Sequence, residues 1–251
     1  MTNVTIVTGA SRGIGRAIVN ILLKNPENKV IAVARTKEAL ESLQKQYGDR
    51  IEIVAGDITE SSTSVEAVKL AESKFGQLDA VIANAGVLDP VGPIEKHNIN
   101  EWKRLFDINF FSVVELIQQS LPALRKTHGK FIAVSSGASL KPYSGWYAYG
   151  SSKASLNHLI ASLASEESEI QAISIAPGVV DTEMQQDIRE KFGKDMSTEG
   201  LQRFIDLHQN KQLSPPEVPA AVYANLALRG WSNDINGKYL RFDDDVLKSY
   251  A

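Results

Sequence analysis

A chain of 251 residues, 43% hydrophobic and 23% charged, is long enough for one large α/β domain with a substantial core. Its formal charge of −3 and lack of a basic tract exclude an obvious nucleic-acid footprint, and no apolar run approaches the ~20 residues of a membrane span. With no cysteine there are no disulfides, thiolate zinc sites or cysteine nucleophiles, and an N-terminus without a basic n-region or cleavage site is expected of a cytoplasmic protein.

Val4-Thr5-Ile6-Val7 is a short β-branched run, as in a buried parallel strand. Thr8-Gly9-Ala10-Ser11-Arg12-Gly13-Ile14-Gly15 follows at once and opens an amphipathic helix running to about Lys24, with Ile14, Ile18, Ile21 and Leu22 on its apolar face. A glycine-rich turn between a first strand and a helix presents bare backbone N–H groups at the positive helix end, which is where a pyrophosphate binds. The spacing is Gly-x-x-x-Gly-x-Gly rather than the usual dinucleotide Gly-x-Gly-x-x-Gly. The next strand, Val30 to Ala34, ends in Arg35, with no carboxylate in the place that would grip a ribose 2′-hydroxyl. Arg12 and Arg35 therefore predict a 2′-phosphate, hence NADP(H) over NAD(H).

Lys37 to Tyr47 reads as a helix, Ile51 to Ala55 as a strand, Thr59 to Phe75 as mostly helix, and Leu78 to Ala83 as a fourth strand. Asp57 and Ile58 follow the third strand, and Asn84-Ala85-Gly86 the fourth. Both places face the ligand crevice of a doubly wound sheet, so Asp57 could meet adenine and Asn84 the cofactor-side backbone. A helix cap and a turn residue are the alternatives. A long helix from about Trp102 to Arg125 carries a break near Asn109.

The stretch from Val134 to Lys153 leaves a strand (Lys130 to Ser135), crosses a Gly/Pro/aromatic loop and enters a helix near Tyr149 that continues to Glu167. Tyr149 and Lys153, four apart, share a helix face. A phenol of pKa about 10 is a poor acid at neutral pH, and a nearby ammonium is expected to lower it into a range useful for carbonyl chemistry. Ser136, at the strand end, could hydrogen-bond the same substrate oxygen.

Beyond this lie a strand at Gln171 to Ala176, then Pro177-Gly178, Val180 and Asp181-Thr182. Residues 182–216 read as polar and irregular, a length that predicts a substrate-covering segment. Glu217 to Arg229 is a helix and Lys238 to Arg241 a last strand. His97, His128, His158 and His208 have no ligand spacing, and no metal is expected. The alternation predicts a single Rossmann-type, doubly wound domain spanning 1–251 with about seven parallel strands.

Thr8-Gly-x-x-x-Gly-x-Gly15, Asp57, Asn84-Ala-Gly86, Ser136 and Tyr149-x-x-x-Lys153 together resemble the short-chain dehydrogenase/reductase family, in its order and spacings along nearly the whole chain. The resemblance implies reversible hydride transfer between NADP(H) and a small carbonyl/alcohol pair. It makes Tyr149 the proton donor, Ser136 its partner on the substrate oxygen, and Lys153 a holder of the nicotinamide ribose. Asn109 becomes the residue whose backbone kink holds a relay water, and Pro177, Gly178, Val180 and Thr182 neighbours of the nicotinamide. It also implies a homodimer or homotetramer. Ser144-Gly-Trp-Tyr-Ala-Tyr149, Asp181-Thr-Glu-Met-Gln-Gln186 and Gly237-Lys-Tyr-Leu-Arg-Phe-Asp243 are similar to the sepiapterin-reductase-like branch and its fungal benzil reductases. That similarity implies reduction of one carbonyl of a vicinal diketone, with Tyr143 and Trp146 as aromatic walls and Asp244 as a substrate anchor. A pterin or a 3-oxoacyl thioester would suit the same chemistry, and a non-catalytic NADP(H)-binding regulator would need the glycine loop alone.

Overall fold

The computed structural model describes residues 2–251. Its strands are β1 (Val4–Thr8), β2 (Lys29–Ala34), β3 (Ile51–Ala55), β4 (Ala80–Ala83), β5 (Lys130–Val134), β6 (Gln171–Ala176) and β7 (Tyr239–Arg241). They form one parallel sheet in the order β3-β2-β1-β4-β5-β6-β7. The order reverses between β1 and β4, which opens a crevice at the carboxyl ends of those strands. The helices are α1 (Gly13–Leu22), α2 (Lys37–Tyr47), α3 (Ser61–Phe75), α4 (Ile99–Phe106), α5 (Ser112–Thr127), α6 (Tyr147–Glu166), α7 (Glu183–Asp187), α8 (Thr198–Gln209) and α9 (Glu217–Arg229). This is the single Rossmann-type α/β domain that the sequence predicts.

Strand side chains alternate between two cores, as a period of two requires. Val30, Ala32 and Ala34 of β2 join Ile132 of β5, Ile173 of β6, Ile18 and Leu22 of α1, and Tyr223 and Leu226 of α9 on one face. Ile31 and Val33 join Phe131, Ala172, Ala67 of α3, Leu116 of α5 and Leu156 of α6 on the other. A third cluster lies beyond the strand ends and is largely aromatic: Leu88, Val91, Leu105, Trp146, Tyr149, Ile188 and Phe204, with Tyr143, Met184 and Phe192 packed on it.

Two helical segments carry π-type turns. Asp107–Phe111 joins α4 to α5, at the break the sequence predicts around Asn109. Ile188–Phe192 follows α7 directly. The expectation of irregular chain over 182–216 is corrected here, because α7, this π-turn and α8 make most of it helical. Ser197 caps α8 by accepting from the Gly200 N–H at 3.2 Å. Gly193 and Gly200 interrupt the polar pattern, and the π-turn moves the apolar residues off a 3.6 period, which hides these helices from sequence. Among the described residues no helix is long and apolar enough to cross a membrane.

Candidate active site

A cavity of about 470 Å³ occupies the crevice, within the size range of small-molecule sites. One end is the β1–α1 turn. Gly9 and Gly13 have φ of +66° and +52°, a left-handed backbone that glycine adopts without penalty. A Cβ on Gly15 would lie 2.2 Å from the Gly9 carbonyl oxygen, and one on Gly9 2.8 Å from Asn84 Nδ2. Strand, turn and helix therefore close on each other with no room for side chains. Asn84 pins the turn from β4: its Nδ2 donates to the carbonyls of Thr8 (2.9 Å) and Gly9 (3.3 Å). The Thr8 hydroxyl in return accepts from the N–H groups of Asn84 and Ala85, both at 3.0 Å.

Thr8, Gly9, Ser11, Arg12, Gly13, Ile14, Arg35, Asp57, Ile58, Asn84, Ala85, Gly86, Tyr149, Lys153, Pro177 and Thr182 all line this cavity. Asp57 Oδ1 accepts from the Thr59 N–H (3.0 Å) and hydroxyl (2.9 Å), and these bonds hold its carboxyl below its ordinary pKa, with Arg35 and Arg104 adding to the effect. Arg12 is engaged across the mouth by Glu183, the first residue of α7, which also lines the cavity. Sequence reading gave Glu183 no role. Its place in the first turn of a helix after Thr182 was the available signal.

At the other end, motifs distant in sequence meet. A Cβ on Gly86 would stand 3.3 Å from Asn109 Oδ1 and 3.5 Å from Lys153 Nζ. Asn109 is fully buried on the π-turn. Its side chain pairs with Val87 as a strand would, donating to the carbonyl (2.8 Å) and accepting from the N–H (2.9 Å), and it also donates to Ser152 Oγ (3.2 Å). Replacing it would leave both Val87 groups unpaired, at about 1–3 kcal/mol each. Lys153 Nζ donates to the Val134 carbonyl at 2.7 Å. Burial lowers the Lys153 pKa to about 8.

The sign at Tyr149 differs from the one its spacing predicts. Burial raises the phenol above its ordinary pKa, with the Ser136 hydroxyl opposing the rise. The Lys153 ammonium is committed to a backbone carbonyl and stands 5.9 Å from the Tyr149 ring centre, so it does not set the balance. A neutral phenol is the state that can give up a proton. Ser136 Oγ accepts from the Ala138 N–H at 3.1 Å, which fixes the turn leaving β5.

Trp146 and Tyr143 lie beside the cavity rather than in its lining. Their rings stack at 4.9 Å, and Trp146 meets Tyr149 edge-on at 5.6 Å. Phe204 of α8, which no sequence motif points to, stacks on Trp146 at 5.4 Å and 11°. Asp244 lies outside the cavity lining: its Oδ2 accepts from the Arg241 N–H at 2.8 Å and shapes the turn after β7. Gly178 and Val180 are also outside the lining; Val180 bridges to Ser214, tying the start of the 182–216 segment to its end. Among the described residues no group of three or more His, Asp or Glu is placed to hold a metal.

The short-chain dehydrogenase family model matches residues 3–193. The chain belongs to that family. It is 47% identical, over 100% of its length and 99% of the relative's, to an uncharacterized oxidoreductase of Saccharomyces cerevisiae, whose crystal structure superposes with a TM-score of 0.98 over 99% of both chains. It is 46% identical to a benzil reductase of the same yeast that forms (S)-benzoin, over 98% of each chain. The structure of the KRED1-Pglu enzyme, 53% identical, covers 94% of this chain with 99% of its own at a TM-score of 0.93. The family uses nicotinamide cofactors. More distant structures with the same fold, each 23% identical, hold NADH in one case and NADPH in another.

Proposed function

We propose that this short-chain oxidoreductase uses NADPH to reduce one carbonyl of a vicinal diketone, as in benzil to benzoin. The observation that carries the reading is the convergence of Gly86, Asn109, Lys153 and Tyr149 at the end of a cavity whose far end is the glycine turn. Similarity to a benzil reductase supports the substrate class.

The residues present fit a dinucleotide. The side-chain-free turn at the start of α1 would take the pyrophosphate, Asp57 and Ile58 the adenine end, and Lys153 the nicotinamide ribose. Arg12 and Arg35 both line the cavity with no carboxylate at the end of β2, which supports a 2′-phosphate. When bound, the nicotinamide supplies the hydride. Tyr149 Oη gives its proton to the substrate oxygen, while the Ser136 hydroxyl orients that oxygen by hydrogen bonding. Lys153 stands behind Tyr149 to restore charge balance, and Asn109 holds the Val87 backbone and α6 at fixed spacing. The third cluster keeps water from this end. Exposed Phe111 and Tyr147, at the end of the π-turn and at the start of α6, offer a face for homo-oligomerisation.

The test is loss of NADPH absorbance with purified protein across diketones, pterins and acyl ketones. Benzil is expected to be turned over, and NADH to serve poorly. Tyr149→Phe should lower turnover by about 10²–10⁴-fold with NADPH binding retained. No carbonyl-dependent oxidation of NADPH would refute the enzyme reading, and equal use of NADH would refute the arginine argument.

A further inference from the structure

We propose that Trp146 is a specificity-determining residue whose indole N–H holds the second oxygen of the substrate, the carbonyl that is not reduced. This deepens the diketone reading and rests on it.

Trp146 is 8% exposed, and its Nε1 is buried without a hydrogen-bond acceptor. Buried donors in folded proteins are nearly always paired, so an orphan marks a place where a partner is supplied from elsewhere. Trp146 carries such an atom, and its side chain packs directly on the Tyr149 ring, at 5.6 Å and 89°. Two other orphans, Gln185 Oε1 and Arg189 Nη1, belong to α7 and the π-turn after it, on the segment covering this cluster. Ser64 and Ser174, the remaining two, are on α3 and β6, away from this segment.

The location fits the chemistry. A vicinal diketone carries its second oxygen on the carbon next to the one that accepts hydride. With the first oxygen on Tyr149 and Ser136, the second falls near the neighbours of Tyr149. Trp146 is fixed there by Tyr143 and Phe204 on its faces and by the backbone bond from Gly92 N–H to the Gly145 carbonyl, 2.9 Å. An indole N–H is a donor only, so it donates to a ketone oxygen and offers nothing to a methylene. Phe204 covers the indole from α8, and α8 is attached to the Trp146 loop through Ser197 N–H to Ser144 Oγ at 3.1 Å.

The experiment compares benzil with deoxybenzoin, which has the same two rings and one carbonyl fewer. Trp146→Phe keeps an aromatic ring and removes the N–H. The expected result is a fall of about tenfold in kcat/KM for benzil, carried mainly by KM, with deoxybenzoin within about twofold. Equal losses on both substrates in a folded variant, or no loss on benzil, overturn the proposal. The wild-type enzyme gives an independent reading that does not depend on the variant folding. Of its three indole N–H resonances, the one from Trp146 should shift downfield when benzil, but not deoxybenzoin, is added to the complex with oxidised cofactor. An identical response to both ketones overturns it. If the wild type reduces neither ketone, the diketone reading fails instead, which keeps the two failures distinct.

Discussion

The nucleotide end and the substrate end of this cavity are built on different principles. At the nucleotide end, backbone does the work. Gly9, Gly13 and Gly15 remove side chains, and Asn84 and Thr8 tie the turn to the end of β4 through four hydrogen bonds. At the substrate end, side chains do the work: Tyr143, Trp146, Phe204, Met184 and Ile188 pack loosely patterned helices, and three buried polar atoms in this region lack partners. A preformed backbone cradle suits a ligand common to the family. Unpaired donors and aromatic faces on short helices suit a ligand that varies.

The largest expected effect falls at the seam between the two ends. Lys153→Met should cut turnover by about 10²-fold or more and yet raise Tm at pH 7 by about 2–4 °C. Burial disfavours the charged lysine, lowering its pKa from the ordinary 10.5 to about 8. The unfolded chain therefore binds more protons between those values, so wild-type stability rises as pH climbs from about 8 towards 10.5, and the gap to the variant closes. Thermal melts at pH 7 and pH 10 check this; a variant less stable than wild type at both would show that the bond to Val134 outweighs desolvation.

Paired glycine substitutions sharpen the contrast of the two ends. Gly15→Ala drives a Cβ into the Gly9 carbonyl, so the NADPH dissociation constant should rise at least about tenfold. Gly200→Ala meets side-chain atoms of Ser197, Met196 and Ser144, at 3.0, 3.6 and 3.8 Å, and should leave turnover within about twofold while raising Tm slightly. Fluorescence titration and melting curves measure both, and the reverse ranking would break the comparison. The smallest effect belongs to Glu183→Gln. An exposed ion pair contributes about 0–1 kcal/mol, so freeing Arg12 should lower the KM for NADPH by roughly two- to threefold at unchanged kcat. An unchanged KM would remove Glu183 as a competitor for Arg12.

Much of the fold was legible because its parallel strands are continuous runs such as Val30 to Ala34, buried on both sides. The glycine turn, Asn84-Ala-Gly86 and Tyr149-x-x-x-Lys153 were legible because each is local. The helical character of 183–209 was not, since a π-turn and two glycines scramble its period. Phe204 reads as one of several apolar residues in Leu201-Gln-Arg-Phe-Ile-Asp-Leu207 until α8 lays it on Trp146. Asp244 depends on tertiary structure in the same way: only the fold places this carboxylate outside the cavity lining, on the Arg241 N–H.

Sequence by itself determined the sheet, the glycine turn between β1 and α1 and the four-residue helical spacing of Tyr149 and Lys153, because each depends on residues within a few positions of one another. Tertiary structure alone decided that Tyr149 is held neutral by burial, that Lys153 turns to Val134, and that Arg12 meets a carboxylate 171 residues away. Desolvation and charge pairing are set by whichever segments pack together, and no local pattern records that.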